Sequence, residues 1–250
     1  MSGEKFILGI YNYCDRWCEK CDFSTKCLVF SKEVENKTSI ESDDQIWDNI
    51  SNELKDTLDI LKDILEEEGI NIDEILNGDN DKDVEEYNKK HEDAKNSDYC
   101  ILSEKYHKQV DELLKKIREK LSLKQDIVNK QIDLGIDIKE FETFFDNIDC
   151  FIEIVTYYQF FIYIKLLRAT EEKYLVKELE ELHLHHFNGT AKIALIAIQK
   201  SIDSWRNLLS MIPELQDEII DILAILQKIL KKAENEFPGA RNFIRPGFDE

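Results

Sequence analysis

Phe151-Ile-Glu-Ile-Val-Thr-Tyr-Tyr-Gln-Phe-Phe-Ile-Tyr-Ile-Lys-Leu-Leu167 is the stretch whose reading decides the fold. It is the most apolar part of the chain and is short for a bilayer crossing. Glu153, Gln159 and Lys165 interrupt it. The stretch reads as the second half of a helix from Asp137 to about Ala169. Apolar residues on nearly every side of that helix predict a central place in a protein core.

Helical periodicity extends outward in both directions. Upstream, Leu102, Tyr106, Val110, Leu113, Ile117 and Leu121 line one face of a helix predicted over Asp98 to Leu123. Further upstream, Ile46, Ile50, Leu54, Leu58, Leu61 and Leu65 line another, from Asp43 to Glu68, which Gly69 ends. Downstream, a helix is expected from Glu171 to His186, followed by a break at Asn188-Gly189. Two more are expected, from Thr190 to Ile212 and from Pro213 to Glu236, the proline suiting a first helical turn. Residues 78–98 are dominated by Asp, Glu, Asn and Lys and read as a mobile insertion or a solvated helix. The aromatics and prolines after Phe237 suggest an ordered arm laid on the surface. The expected fold is therefore all-α, a bundle of about five to six helices behind a short N-terminal four-cysteine segment. Its expected parts are residues 1–40, the bundle 41–236 with its acidic insertion 78–98, and the arm 237–250.

Composition agrees with that reading. The 250 residues are 42% hydrophobic, and with only eight Gly and three Pro a strand-and-turn architecture is disfavoured. The formal net charge is −20, which argues against nucleic acid and against acidic membrane surfaces as partners. The acidity is local: residues 41–98 hold twenty-one acids and six bases, whereas residues 1–40 hold six of each. Phe6 to Ile10 is too short for the apolar core of a secretory signal, so a cytoplasmic location is expected. Disulfides are rare in that compartment. Cys100 and Cys150 fall in helical patterns and are expected to be inert core thiols.

The most chemically definite feature is Cys14, Cys18, Cys21 and Cys27, spaced C-x3-C-x2-C-x5-C. Four thiolates this close can enclose one metal centre, and Arg16, Lys20 and Lys26 interleave with them. Three readings compete: a [4Fe–4S] cluster, which is favoured; a structural Zn2+; and free thiols or a disulfide pair. Cys18-Glu-Lys-Cys21-Asp-Phe-Ser-Thr-Lys-Cys27 resembles the iron–sulfur loop of RecB-like nucleases, including an aromatic residue, Phe23, two positions after the middle cysteine. In that family the fourth ligand lies far away in sequence, whereas Cys14 is adjacent here, and the nuclease acids are absent. The resemblance therefore implies a cluster and not a nuclease. Tyr13-Cys14-x3-Cys18-x2-Cys21 also looks like a radical-SAM opening, but no strand–helix alternation follows it. Cys14-Asp-Arg-Trp-Cys18-x-x-Cys21, Asn188-Gly-Thr-Ala-Lys-Ile-Ala-Leu195 and Phe243-Ile-Arg-Pro-Gly-Phe-Asp249 together resemble a group of uncharacterised bacterial proteins, which implies a bacterial cytosolic origin.

A second metal site is a weaker expectation. Glu104–His107 and Glu180–His183 are Glu-x-x-His pairs on predicted helices, the ligand pattern of ferritin-like di-iron bundles. Such a site also needs lone carboxylates, for which Glu153 is the better candidate and Glu53 the poorer. Glu142, Asp146, Asp149 and Glu153 form a carboxylate stripe. Glu153 in so apolar a run should be paired or protonated, with Lys165, Arg168 or Lys192 as partners. His183, His185 and His186 are expected at a helix end, where cations suit the C-terminal dipole. Asp79-x-Asp81-x-Asp83 opens like a calcium loop, but Val84 stands where Gly is needed and Lys90 where Glu is needed. Three functions follow as expectations. The first is a redox, sensing or structural iron–sulfur protein. The second is a zinc-stapled module whose acidic region recruits a basic protein partner. The third is a di-iron redox enzyme.

Overall fold

The computed structural model describes residues 6–39, 55, 81–133, 139–176 and 186–249. Among these residues there are six α-helices and no strand. The helices are α1 (Leu28–Ser39), α2 (Asp81–Lys95), α3 (Asp98–Asp133), α4 (Lys139–Val176), α5 (His186–Met211) and α6 (Gln216–Glu236). The fold is thus an all-α helical bundle. The helix expected from Asp43 to Glu68 lies outside the described residues. The chain divides into two compact units, Met1–Lys89 and Lys90–Glu250.

The second unit is an antiparallel four-helix bundle. Helix α4 packs against α3 and α5, and α6 packs against α5 and α3, which closes a ring. Directions follow from side-chain pairs. Tyr99, His107 and Lys124 of α3 meet Thr170, Phe160 and Phe144 of α4, so one sequence rises as the other falls. Between α4 and α5, Tyr158 meets Lys200 and Glu172 meets Thr190. Along the α3–α6 seam, Asp98–Lys232, Lys116–Glu218 and Lys124–Glu214 form three ion pairs at 2.6, 3.2 and 3.5 Å. Ile212 and the short turn Pro213–Leu215 suffice to join α5 to α6, as expected between antiparallel neighbours. Asp217 and Glu218 sit in the first turn of α6, where the helix dipole favours anions.

The more completely buried helix is α5 and not α4. Ala191, Ala194, Ala197, Ile198, Ile202, Trp205 and Leu208 of α5 are all buried, and the alanines let neighbouring helices approach closely. Helix α4 buries Val155, Tyr158, Ile162 and Leu166 but leaves Phe160 at 48% and Ile164 at 41% exposure. A four-membered ring gives each helix an outer side, so an all-round apolar helix cannot be enclosed by three neighbours.

Local departures from expectation have local causes. Asn188-Gly189 does not break the chain, because α5 starts at His186 and both residues are buried in its first turns, where packing overrides weak propensity. His186 is the first described residue of α5, and His183 and His185 lie outside the described residues. Glu171 begins no new helix, since α4 runs on to Val176. The apolar run Phe6–Tyr11 turns at Gly9 (φ 76°) into a 3-10 turn over Ile10–Tyr13. The acidic insertion is a solvated helix over Asp81–Lys95: residues 84–89 are exposed, and Ala94 near its C-terminal end is fully buried. Cys150, expected in the core, is exposed, whereas Cys100 is buried.

The C-terminal arm is ordered and docks through Phe237 and Ala240, both buried. Lys192 of α5, only 16% exposed, pairs with Asp249 at 2.7 Å and donates to the Phe243 carbonyl at 2.5 Å. Arg245 holds the same carboxylate through two guanidinium bonds of 2.9 and 3.1 Å and a backbone N–H bond of 2.9 Å. Arg245 first and Lys192 after it hold the Asp249 carboxyl well below the usual carboxylate range, against the opposing effect of burial. A depressed carboxyl contributes stability above its unfolded value, about 3.9, and loses it as pH falls towards the folded value. The arm is therefore expected to stay docked at neutral pH and to become protease-sensitive below about pH 4, near that unfolded value. Asp249→Asn should reproduce the release at pH 7, and an arm equally protected in that variant would show that the ion pairs do not hold it. Gly239 is a second contact point. A Cβ there would lie 2.8 Å from Nδ2 of Asn188, a buried side chain that would have to shift. Gly239→Ala should cost about 1–3 kcal/mol in urea unfolding, as overpacking does.

Candidate metal centre

The cysteine segment folds as three consecutive 3-10 turns, Ile10–Tyr13, Cys18–Lys20 and Ser24–Lys26. Each cysteine sits at a turn boundary. Cys14 closes the first turn, Cys18 opens the second, Cys21 closes it and Cys27 closes the third. Backbone bonds from Cys21 N to Cys18 O (3.2 Å) and from Cys27 N to Ser24 O (3.2 Å) close the second and third turns, and one from Ser24 N to Cys21 O (3.3 Å) links them. The Ile7 N–H bonds to the Lys26 carbonyl at 3.0 Å and ties the two ends of the segment together. Between Cys14 and Cys18 the chain reverses at Arg16, whose φ of 58° is left-handed. Such a conformation costs a non-glycine residue of order 1 kcal/mol. Asp15 Oδ1 accepts the Trp17 N–H at 3.2 Å and stabilises the reversal. Lys20 Nζ lies 4.5 Å above the Trp17 ring. Ile10 and Tyr13 are the buried residues of the segment.

All six cysteines are free thiols, and the four of the segment are half-buried. The Cys14 thiol donates to the Tyr11 carbonyl at 3.6 Å, and its sulfur accepts the Arg16 backbone N–H. Burial is the main influence on Cys14 and pushes it up. The Cys18 thiol is also pushed up, first by burial and then by the nearby charges of Cys14, Glu33, Cys21 and Cys27. Among the described residues, no three His, Cys, Asp or Glu side chains close into a ready-made ligand set. A metal would have to draw the sulfurs inward and displace their protons, which is ordinary for thiolate sites that form on binding. The donor set, four thiols and a backbone N–H aimed at sulfur, suits either an iron–sulfur cluster or zinc.

The second-site candidates do not converge. Glu104 is exposed and paired with Lys108 at 2.7 Å, which holds its carboxyl below the usual range. His107 lies with its ring 5.1 Å from that of Phe160, and its Nδ1 is shielded without a hydrogen bond. Glu153, expected within the core, is exposed on α4. Of the bases expected beside it, Lys192 pairs with Asp249, Arg168 pairs with Glu172, and Lys165 lies over the Phe161 ring. Asp146 and Asp149 are exposed too. Glu53, Glu180 and His183 lie outside the described residues. Among the described residues the buried polar side chains are Ser103, Gln159, Thr170, Asn188, Thr190, Ser201 and Ser204, with no carboxylate. The bundle centre holds Tyr106 and Trp205, joined by an indole N–H to phenol bond of 3.3 Å.

One cluster had no signal in the sequence. At the end of the bundle where α3 starts and α4 nears its end, Tyr99 OH and Thr170 Oγ1 lie 2.9 Å apart. Beside them His91 pairs with Glu171. Burial pushes the Cys100 thiol up to about 11 and the Tyr99 hydroxyl up to about 12, which leaves both protonated and unreactive at neutral pH. His91 and Glu171 are eighty positions apart, so no local pattern could have joined them. No family model, curated protein or solved structure matches this chain.

Proposed function

We propose that Cys14, Cys18, Cys21 and Cys27 bind one metal centre, with a [4Fe–4S] cluster as the favoured occupant. In this reading the protein is a bacterial, cytoplasmic helical protein whose centre serves a redox, sensing or structural role. The observation that carries the reading is the placement of four half-buried free thiols at the boundaries of consecutive 3-10 turns within fourteen residues. A bound cation would offset the repulsion that arises when these thiols lose their protons. The backbone N–H on the Cys14 sulfur is the kind of donor that tunes a cluster's potential. The test is anaerobic purification followed by a UV–visible spectrum with iron, zinc and acid-labile sulfide analysis. Iron and sulfide in matching amounts, with broad thiolate-to-iron absorbance, support the cluster. Protein that takes up no metal after reconstitution with iron and sulfide or with zinc overturns the reading.

Zinc is the second reading, because Cys18-Glu-Lys-Cys21 closes the short C-x2-C turn that zinc knuckles use. It predicts a colourless protein with one zinc per chain. Its role would then be to staple the segment for recognition by a partner, and the exposed acidic helix α2 would favour a basic one. Binding to such a partner should weaken as salt rises.

A further inference from the structure

We propose that Asn188-Gly189 is a latent deamidation site, and that the C-terminal arm keeps it closed. Asn followed by Gly is open to this reaction because no side chain on the second residue hinders attack by its backbone nitrogen. The Gly189 nitrogen bonds to Cγ of Asn188, the side-chain amide leaves as ammonia, and a five-membered imide forms. Water then opens the imide on either side and leaves aspartate or isoaspartate. No other reactant is needed. Ring closure requires the backbone at Asn188 to leave the helical region and the side chain to swing towards the following nitrogen.

The docked arm opposes both movements. Asn188 and Gly189 lie within α5, and Asn188 is only 8% exposed. The arm follows the start of α5 through three successive contacts. Phe237 meets Phe187 at 6.3 Å between ring centroids, Gly239 sits on Asn188, and Phe243 and Asp249 hold Lys192. A Cβ on Gly239 would lie 3.1 Å from Cγ of Asn188, so the backbone of the arm covers the carbon that is attacked. Among the described residues no donor reaches the shielded Oδ1 of Asn188, so close packing holds that end of the amide. Lifting the arm removes this cover. The product then holds the arm off, because a carboxylate at position 188 would be a buried charge beside Gly239 and must find a partner or water. Lys192, one turn along the same face of α5, is committed to Asp249. The new carboxylate either draws Lys192 from Asp249 or reaches water by displacing Gly239. Both routes release the arm, and because the lost ammonia is not restored the release is one-way.

The test is peptide mass spectrometry of the full chain during prolonged incubation at neutral pH, with the chain held unfolded in urea as the open reference. Wild type is expected to keep the Asn188 amide under native conditions and to lose it in urea. Asp249→Ser, which removes the carboxylate that Lys192 and Arg245 hold, should convert Asn188 roughly tenfold faster than wild type under native conditions. Adding Gly189→Ala to that variant should slow the conversion again. Asn188→Asp, made directly, should open the arm to trypsin at Arg241 while the helical circular dichroism spectrum persists. Asn188→Ser, small and uncharged, should leave the arm protected and so separates the effect of charge from that of lost packing. Native wild type that converts as fast as the urea-unfolded chain overturns the proposal, as do equal native rates in wild type and Asp249→Ser. An arm that stays protected in Asn188→Asp overturns the one-way release.

Discussion

Trp205→Ala is expected to lower the unfolding free energy by about 3–5 kcal/mol, the usual cost of removing a buried aromatic residue. Trp205 is fully buried on α5, the helix with the most complete core. Its indole N–H also donates to Tyr106 OH on α3, and Tyr106 is itself fully buried. The substitution therefore opens a cavity and removes the donor from a hydroxyl that has no access to water. Tyr106→Phe keeps the ring and should cost only about 1 kcal/mol. Because the two residues share one bond, the costs should be less than additive in the double variant. Urea unfolding of the three variants measures all of this. A loss for Trp205→Ala below about 1 kcal/mol, the size of a routine surface change, would mean that the interior closes over the gap.

The second large effect is chemical. Cys14→Ser should abolish or strongly deplete the metal of the N-terminal segment, because three thiolates and a hydroxyl bind iron–sulfur clusters or zinc far less well than four thiolates. The segment has few buried residues, Ile10 and Tyr13 among the described ones. Its order should therefore depend on the centre, as in small metal-bound domains. The expected readout is twofold: loss of stoichiometric metal, and rapid tryptic cleavage at Arg16, Lys20 and Lys26 with slow cleavage of the bundle. Cys100→Ser is the control, since Cys100 is a buried thiol of the other compact unit. Full metal content and unchanged cleavage in Cys14→Ser would remove Cys14 from the ligand set.

Much of the fold was readable because helices announce themselves locally. Val110, Leu113 and Ile117 repeat at helical spacing and are all buried on α3. Pro213 marked the turn before α6. The misreadings are of another kind. Asn188-Gly189 carries a turn signal, yet the tight packing of α5 keeps both residues helical. Glu153 sits in an apolar run, but its face of the helix was not decidable until the positions of α3 and α5 were known. The cysteines were legible as a group from spacing alone. Their placement on turn boundaries, and the left-handed reversal at Arg16, were not.

The amino-acid pattern by itself determined that the protein is helical, where most helices run, and that four thiols fall within fourteen residues. Each of these depends on residues close in sequence, whose spacing carries the information. Only the tertiary structure decided that α5 rather than α4 is the more buried helix, that Lys192 binds Asp249, and that Phe160 and Ile164 of α4 stay exposed. Those outcomes depend on which faces meet across the ring of four helices, and a local apolar pattern is the same whether its partner is a neighbouring helix, a second chain or nothing.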